Sequence, residues 1–141
     1  MAATGLLPPG CTSNPTGPSL NAALVPTCAP WDGPAVALFL TDRLAVTTYP
    51  AAPYVSITVY HGVPDILNQR FDVTATSQNV GFAQQCPAQG GCITAQAASV
   101  TFGGQDADST IDVTYRLKLD AGRVISGSAR ARLYPQQVFC G

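Results

Sequence analysis

Two segments near the C-terminus alternate strictly between apolar and polar residues. From residue 111 to 120 the odd positions are apolar and the even positions polar, and the alternation resumes over 125–133. A period of two predicts β-strands with one buried and one exposed face. The three residues Asp120-Ala121-Gly122 between them predict a type I turn closed by a bulge, in which Gly122 has a positive φ. The segments are therefore predicted to form an antiparallel hairpin.

The length of this loop sets the register of the hairpin. It pairs Leu117 with Ile125, so that every apolar residue of both strands lies on one face. On the other face it places Asp112 opposite Arg130, an exposed pair worth a few tenths of a kcal/mol. Turn chemistry and hydrophobic pattern therefore predict the same pairing independently.

Composition extends this prediction to the whole chain. The 141 residues include eight acidic residues, all of them Asp, and only one Lys, so the residues favoured on helix surfaces are nearly absent. Further strand signals are separated by short turns. We predict an all-β fold, an antiparallel β-sandwich or flattened barrel of about eight or nine strands. The formal charge of −1 argues against a nucleic-acid-binding protein.

The N-terminal region differs from the rest. Residues 1–33 contain six prolines and are predicted to form an arm, with at most a helical turn or an edge strand near residues 20–25. Residues 34–141 are predicted to form the β-sandwich domain. Within it, the apolar run over 35–41 is predicted to be a strand buried on both faces.

The five cysteines favour disulfides over a metal site. None is in a CxxC arrangement and the chain has one histidine, so zinc is poorly supported and no cofactor is expected. We predict Cys86–Cys92, across a turn-rich loop, and Cys28–Cys140, which would join the arm to the C-terminus. The competing pairing of Cys11 with Cys28 stays open. Disulfides indicate an extracytoplasmic location: secreted, periplasmic or cell-surface.

Cys11 is left over in the favoured pairing. The preceding residues, 2–10, resemble the end of a bacterial lipoprotein signal, in which small residues precede a lipid-bearing cysteine, although Pro8 and Pro9 depart from that motif. The resemblance implies a lipid anchor at Cys11. A free or disulfide-bonded Cys11 is the alternative. The sequence contains no run of about 20 apolar residues, so no transmembrane segment is predicted.

Two polar features are candidate sites of chemistry. Asp106 and Asp108 lie in a Gly-rich turn and could offer carboxylate oxygens to Ca²⁺, although the turn lacks the sixth-position Gly and closing Glu of a calcium loop. His61 is the single histidine, and no Gly-x-Ser-x-Gly motif supplies a nucleophile for it. No catalytic residue is predicted, and the chain is not expected to be an enzyme.

Aromatic residues near strand ends suggest a binding surface. Trp31, Tyr49, Tyr54 and Tyr60 could stack on a sugar or anchor a protein partner. The favoured interpretation is that they cover the ends of the sandwich and the arm, with Trp31 as a plug where the arm enters the core. We expect a non-catalytic module for binding or adhesion at a cell surface, which a lipid on Cys11 would tether to the membrane. The alternative is a structural subunit of a surface filament, whose N-terminal arm contacts the next copy.

Overall fold

Nine β-strands account for most of the described chain. The computed structural model describes residues 21–41, 53–76, 79–134 and 138–140. The only helical elements in these ranges are a four-residue α-helix, α1 (Val63–Ile66), and a 3-10 turn over Asp120–Gly122. The predicted all-β class is confirmed. The strands are β1 (Asn21–Cys28), β2 (Pro34–Thr41), β3 (Tyr54–Val59), β4 (Arg70–Thr74), β5 (Gly81–Cys86), β6 (Ile93–Thr94), β7 (Ala97–Gln105), β8 (Thr110–Lys118) and β9 (Val124–Leu133).

The strands form one mixed sheet that curls into a half-barrel. Their order is β4-β7-β8-β9-β1-β2-β3-β5-β6, and every neighbouring pair is antiparallel except β9 and β1. The parallel pair joins strands from opposite ends of the chain, where no short hairpin dictates direction. The curl places one face of the sheet inside, and that inner face holds the main core.

Strands β6 and β7 act as one bent strand that links the two ends of the sheet. The Ala95 N–H donates to the Ala83 carbonyl of β5 at 2.9 Å. The next N–H, of Gln96, donates to the Lys118 carbonyl of β8 at 2.8 Å. Two consecutive residues therefore bond to strands from opposite halves of the sheet order, so the sheet curls back on itself at this corner.

The main core consists of inward-facing side chains from almost every strand. Tyr115 and Phe102 are the largest fully buried residues. Burying a side chain of this class contributes about 1.5–3 kcal/mol. Other fully buried members of this core are Leu24, Val36, Leu38, Leu40, Ile57, Ile66, Ile111, Leu117 and Leu119.

The hairpin of β8 and β9 has the predicted register but a different turn. Leu117 pairs with Ile125 and Arg130 with Asp112, as predicted. Gly122 has the expected positive φ of 74°, but Ala121 also has a positive φ, of 55°. Because the Arg123 N–H donates to the Asp120 carbonyl at 3.1 Å across these two residues, the turn resembles type I′. The type I turn with a bulge is therefore a wrong prediction here.

The predicted arm requires a correction for its second half. Strand β1 covers residues 21–28 and lies between β9 and β2 in the interior of the sheet, so these residues form neither an arm nor an edge strand. The described pairing of β9 with β1 ends at Leu24, whose carbonyl accepts the Tyr134 N–H. Backbone groups of residues two apart in a strand point to the same side, so the N–H that Pro26 lacks would have pointed towards β9. Pro26 therefore removes no hydrogen bond from the β1–β2 ladder. Residues 1–20 lie outside the described ranges.

Candidate functional site

The outer face of the sheet changes character from one side to the other. On β4, β7, β8 and β9 it carries mainly polar and charged side chains, including those predicted to be exposed on β8 and β9. On β1 and β2 it is apolar and buried, so the prediction of a β2 buried on both faces is confirmed. A second, smaller core lies here, formed by Ala23, Val25, Ala37, Phe39 and Tyr134, with Tyr54 packed against it.

A groove of about 280 Å³ lies beside this second core and contains aromatic rings in its lining. We call it the aromatic groove. Its rings are those of Phe39, Tyr54, Tyr60 and Phe82. Phe39 meets Tyr54 edge-on with ring centroids 5.2 Å apart, and Tyr60 lies 6.4 Å from Phe82. Contacts of this kind hold the rings in place without a ligand.

Polar side chains line the same groove. Ser56 and Thr58 are 2% and 6% exposed, and alternation along β3 directs them to the outer face, opposite Val55, Ile57 and Val59. Neither hydroxyl has a hydrogen-bond partner among the residues that the structure describes. Gln84 of β5, which is paired with Ser56 across the strands, adds an amide to the lining.

Trp31 lies at the tip of the turn that joins β1 to β2. Asp32 N–H donates to the Ala29 carbonyl at 2.9 Å, and Asp32 has a φ of 68°, so this three-residue loop has the bulged type I pattern. A Cβ added to Gly33 would lie 2.9 Å from the Trp31 Nε1, so a glycine here leaves room for the indole. Trp31 is 57% exposed and meets Tyr60 edge-on at 4.9 Å. The prediction that Trp31 is a buried plug is therefore wrong.

Three of the four predicted binding aromatics thus fall in one region. Tyr54 and Tyr60 line the aromatic groove and Trp31 contacts Tyr60, whereas Tyr49 lies outside the described residues. The role of these aromatics in binding stays a prediction. Sequence reasoning missed Phe39 and Phe82, since only strand order and cross-strand register bring them beside Ser56 and Thr58. It also missed Ser56 and Thr58, whose outward direction follows from alternation along β3.

A second groove, of about 210 Å³, lies on the charged part of the outer face. Its floor is made by the small residues Ala97 and Ser99 of β7, between charged side chains of β4 and β8 such as Asp72 and Arg116. No aromatic ring is among its described lining residues. This groove therefore offers a ligand charged side chains in place of the four aromatic rings that line the aromatic groove.

The two aspartates proposed for Ca²⁺ take part in contacts that hold the β7–β8 turn. Asp106 forms a salt bridge with Arg130 of β9, and Asp108 accepts a hydrogen bond from the Thr110 hydroxyl at 2.7 Å. The Arg130 guanidinium also donates to Thr110 at 2.9 Å. Across the described ranges, no group of three His, Cys, Asp or Glu side chains is arranged to hold a metal ion. The calcium hypothesis therefore gains no third ligand.

His61 is exposed at the end of β3, and its ring lies 5.1 Å from that of Phe71. It is not among the described lining residues of either groove.

Both favoured disulfides are present. Cys28 at the end of β1 is bonded to Cys140, with Cα atoms 5.7 Å apart, and Cys86 is bonded to Cys92. The competing Cys11–Cys28 pairing is therefore excluded in this structure. Cys11, with its predicted lipid anchor, lies outside the described residues. So does most of the arm, whose location would distinguish a monomeric binding module from a subunit of an assembly.

Within the described part of the chain, no helix has the length and apolar character needed to cross a bilayer. Comparison with protein-family models, with curated proteins and with solved structures finds no match for this chain.

Proposed function

We propose that the protein is a non-catalytic binding module of an extracytoplasmic compartment, which attaches to a partner at a cell surface through the aromatic groove. The observation that carries this proposal is the groove itself, with rings held by one another and with an exposed indole at its rim. Trp and Tyr dominate binding surfaces because they combine large apolar area with a polar group.

The two disulfides support the location. Long-range disulfides persist in oxidising compartments and are rare in the cytosol. A lipid tether at Cys11 would keep such a module at the surface and is part of the proposal. The non-catalytic character is supported by the exposed position of His61 and by the uncharged lining of the aromatic groove among its described residues.

The proposal is tested by co-sedimentation of labelled protein with the cells that produce it. Trp31→Ala should weaken binding about tenfold, the effect expected for an interface anchor. Val124→Ala is the matched control, because Val124 is an exposed apolar residue outside the described lining of the groove. Equal binding by wild type and Trp31→Ala would exclude the groove as the attachment site.

A further inference from the structure

We propose that the aromatic groove binds one ring of a neutral oligosaccharide. This inference rests on the proposed function and specifies the ligand. A pyranose ring presents apolar C–H faces, which pack on aromatic rings, and a rim of hydroxyls, which need hydrogen-bond partners. The groove offers both kinds of group within one concave site.

The buried hydroxyls of Ser56 and Thr58 are the main reason for choosing a sugar. Buried polar groups are nearly always hydrogen-bonded, and these two have no partner among the described residues although both line the groove. A ligand hydroxyl can donate to one and accept from the other. The Gln84 amide, next to Ser56 across the strands, provides a further donor and acceptor.

The aromatic walls supply the apolar half of the site. Tyr60 is held between Trp31 and Phe82, and Tyr54 is held by Phe39, so the rings are positioned before a ligand arrives. The Tyr60 phenol can donate its O–H to a sugar oxygen, and burial raises its pKa above the ordinary value of 10.0.

Charge and size narrow the ligand class. No described residue that lines the groove is charged, so nothing there would compensate a carboxylate, sulfate or phosphate. A volume of about 280 Å³ falls just below the usual range for drug-sized ligands. The groove therefore fits a single sugar ring of a longer chain that extends past Trp31.

A proline-rich peptide is the main competing occupant, since such peptides dock in aromatic grooves. The proline residues of such a peptide offer carbonyl acceptors but no N–H donors. Two adjacent buried hydroxyls and an amide match the mixed donors and acceptors of a sugar better.

The test is titration of the full chain with maltotriose, cellotriose and chitotriose, followed by NMR and calorimetry. We expect at least one trisaccharide to bind and to shift the resonances of Tyr54, Tyr60 and Phe82. Ser56→Ala and Thr58→Val should each weaken binding about fivefold, the loss expected for one hydrogen bond. Thr114→Val, which removes an exposed hydroxyl from the outer face of β8, should leave the affinity unchanged.

A stability measurement separates a binding role from a structural one. Thr58→Val removes a buried hydroxyl that has no partner among the described residues and nearly keeps the side-chain shape, so the ligand-free variant should melt at the same or a higher temperature than wild type. Weaker sugar binding with undiminished stability supports the inference. A lower melting temperature with unchanged sugar affinity overturns it, because the hydroxyl would then serve the fold.

Two further results would also overturn the sugar assignment. One is failure of all three trisaccharides to bind while cell attachment still depends on Trp31, which would leave the proposed binding function intact. The other is binding of a synthetic peptide with the sequence of residues 6–20, containing four prolines, at the resonances of Tyr54 and Tyr60.

Discussion

At the scale of single residues, one turn of this chain contains a residue that is poorly suited to its backbone conformation. Among the described non-glycine residues, four have a positive φ: Asp32, Asn68, Ser109 and Ala121. Asp, Asn and Ser have short polar side chains that can hydrogen-bond to nearby backbone in this conformation. Alanine has no such compensation. The β8–β9 turn therefore contains a residue that raises the free energy of the folded state.

Replacement of Ala121 by glycine should stabilise the protein. Relief of the left-handed conformation is worth about 1 kcal/mol, less the added entropy of the unfolded chain. Urea unfolding should show a higher midpoint for Ala121→Gly. The control is Ala107→Gly, in the β7–β8 turn, where φ is not positive and the same change should lower the midpoint. A lower midpoint for Ala121→Gly would contradict the turn geometry.

At the scale of elements, the bent strand formed by β6 and β7 decides how the sheet curls. Ala95 is 3% exposed and bonds to β5, and Gln96 bonds to β8. Since backbone N–H groups point alternately to the two sides of a strand, the N–H of Thr94 points away from β5. Loss of the N–H at Ala95 therefore breaks a hydrogen bond to β5, whereas loss of the N–H at Thr94 does not.

Proline scanning tests this corner. Ala95→Pro removes the bond to Ala83 in a buried position and should cost about 1–3 kcal/mol in the free energy of unfolding, measured by urea denaturation. Thr94→Pro is the control, since its N–H is not used in the pairing with β5, and it should cost clearly less. Equal losses for the two variants would show that the corner is held by other contacts.

At the scale of the whole molecule, the Cys28–Cys140 disulfide joins the first described strand to the end of the chain. It closes a loop with a sequence separation of 112, whereas Cys86–Cys92 has a separation of 6. Loop-closure entropy grows with length, so the chain-entropy model assigns about 5 kcal/mol to the long closure and about 2 kcal/mol to the short one. The long closure is therefore expected to dominate.

Removal of each disulfide separately tests this ranking. The double variant Cys28→Ser/Cys140→Ser should lose more stability than Cys86→Ser/Cys92→Ser, as measured by thermal and urea unfolding. Thiol titration of the denatured, unreduced protein should detect at most one free thiol, that of Cys11. Five reactive thiols, or a larger loss for the short loop, would contradict the account.

Several features followed from the sequence because they depend on near neighbours. Alternation over 111–133 predicted both strands of the last hairpin and their register, because a slip of one residue would turn the apolar side chains to water. The Cys86–Cys92 pair followed from a short turn-rich loop between the cysteines. The buried character of β2 followed from an uninterrupted apolar run. Each signal depends only on residues that are close together in the sequence.

The tertiary structure decided what depends on distant partners. The prolines of the first 33 residues suggested an arm, yet β1 is an interior strand. Pro26 is tolerated there because its lack of an N–H falls on the β9 side of the strand, beyond the point where the described pairing with β9 ends. The aromatic groove likewise joins Phe39, Tyr60 and Phe82 from different parts of the chain. Alternation determines which face a side chain takes, but only strand order determines which side chains meet, since order is set by the closure of the whole sheet.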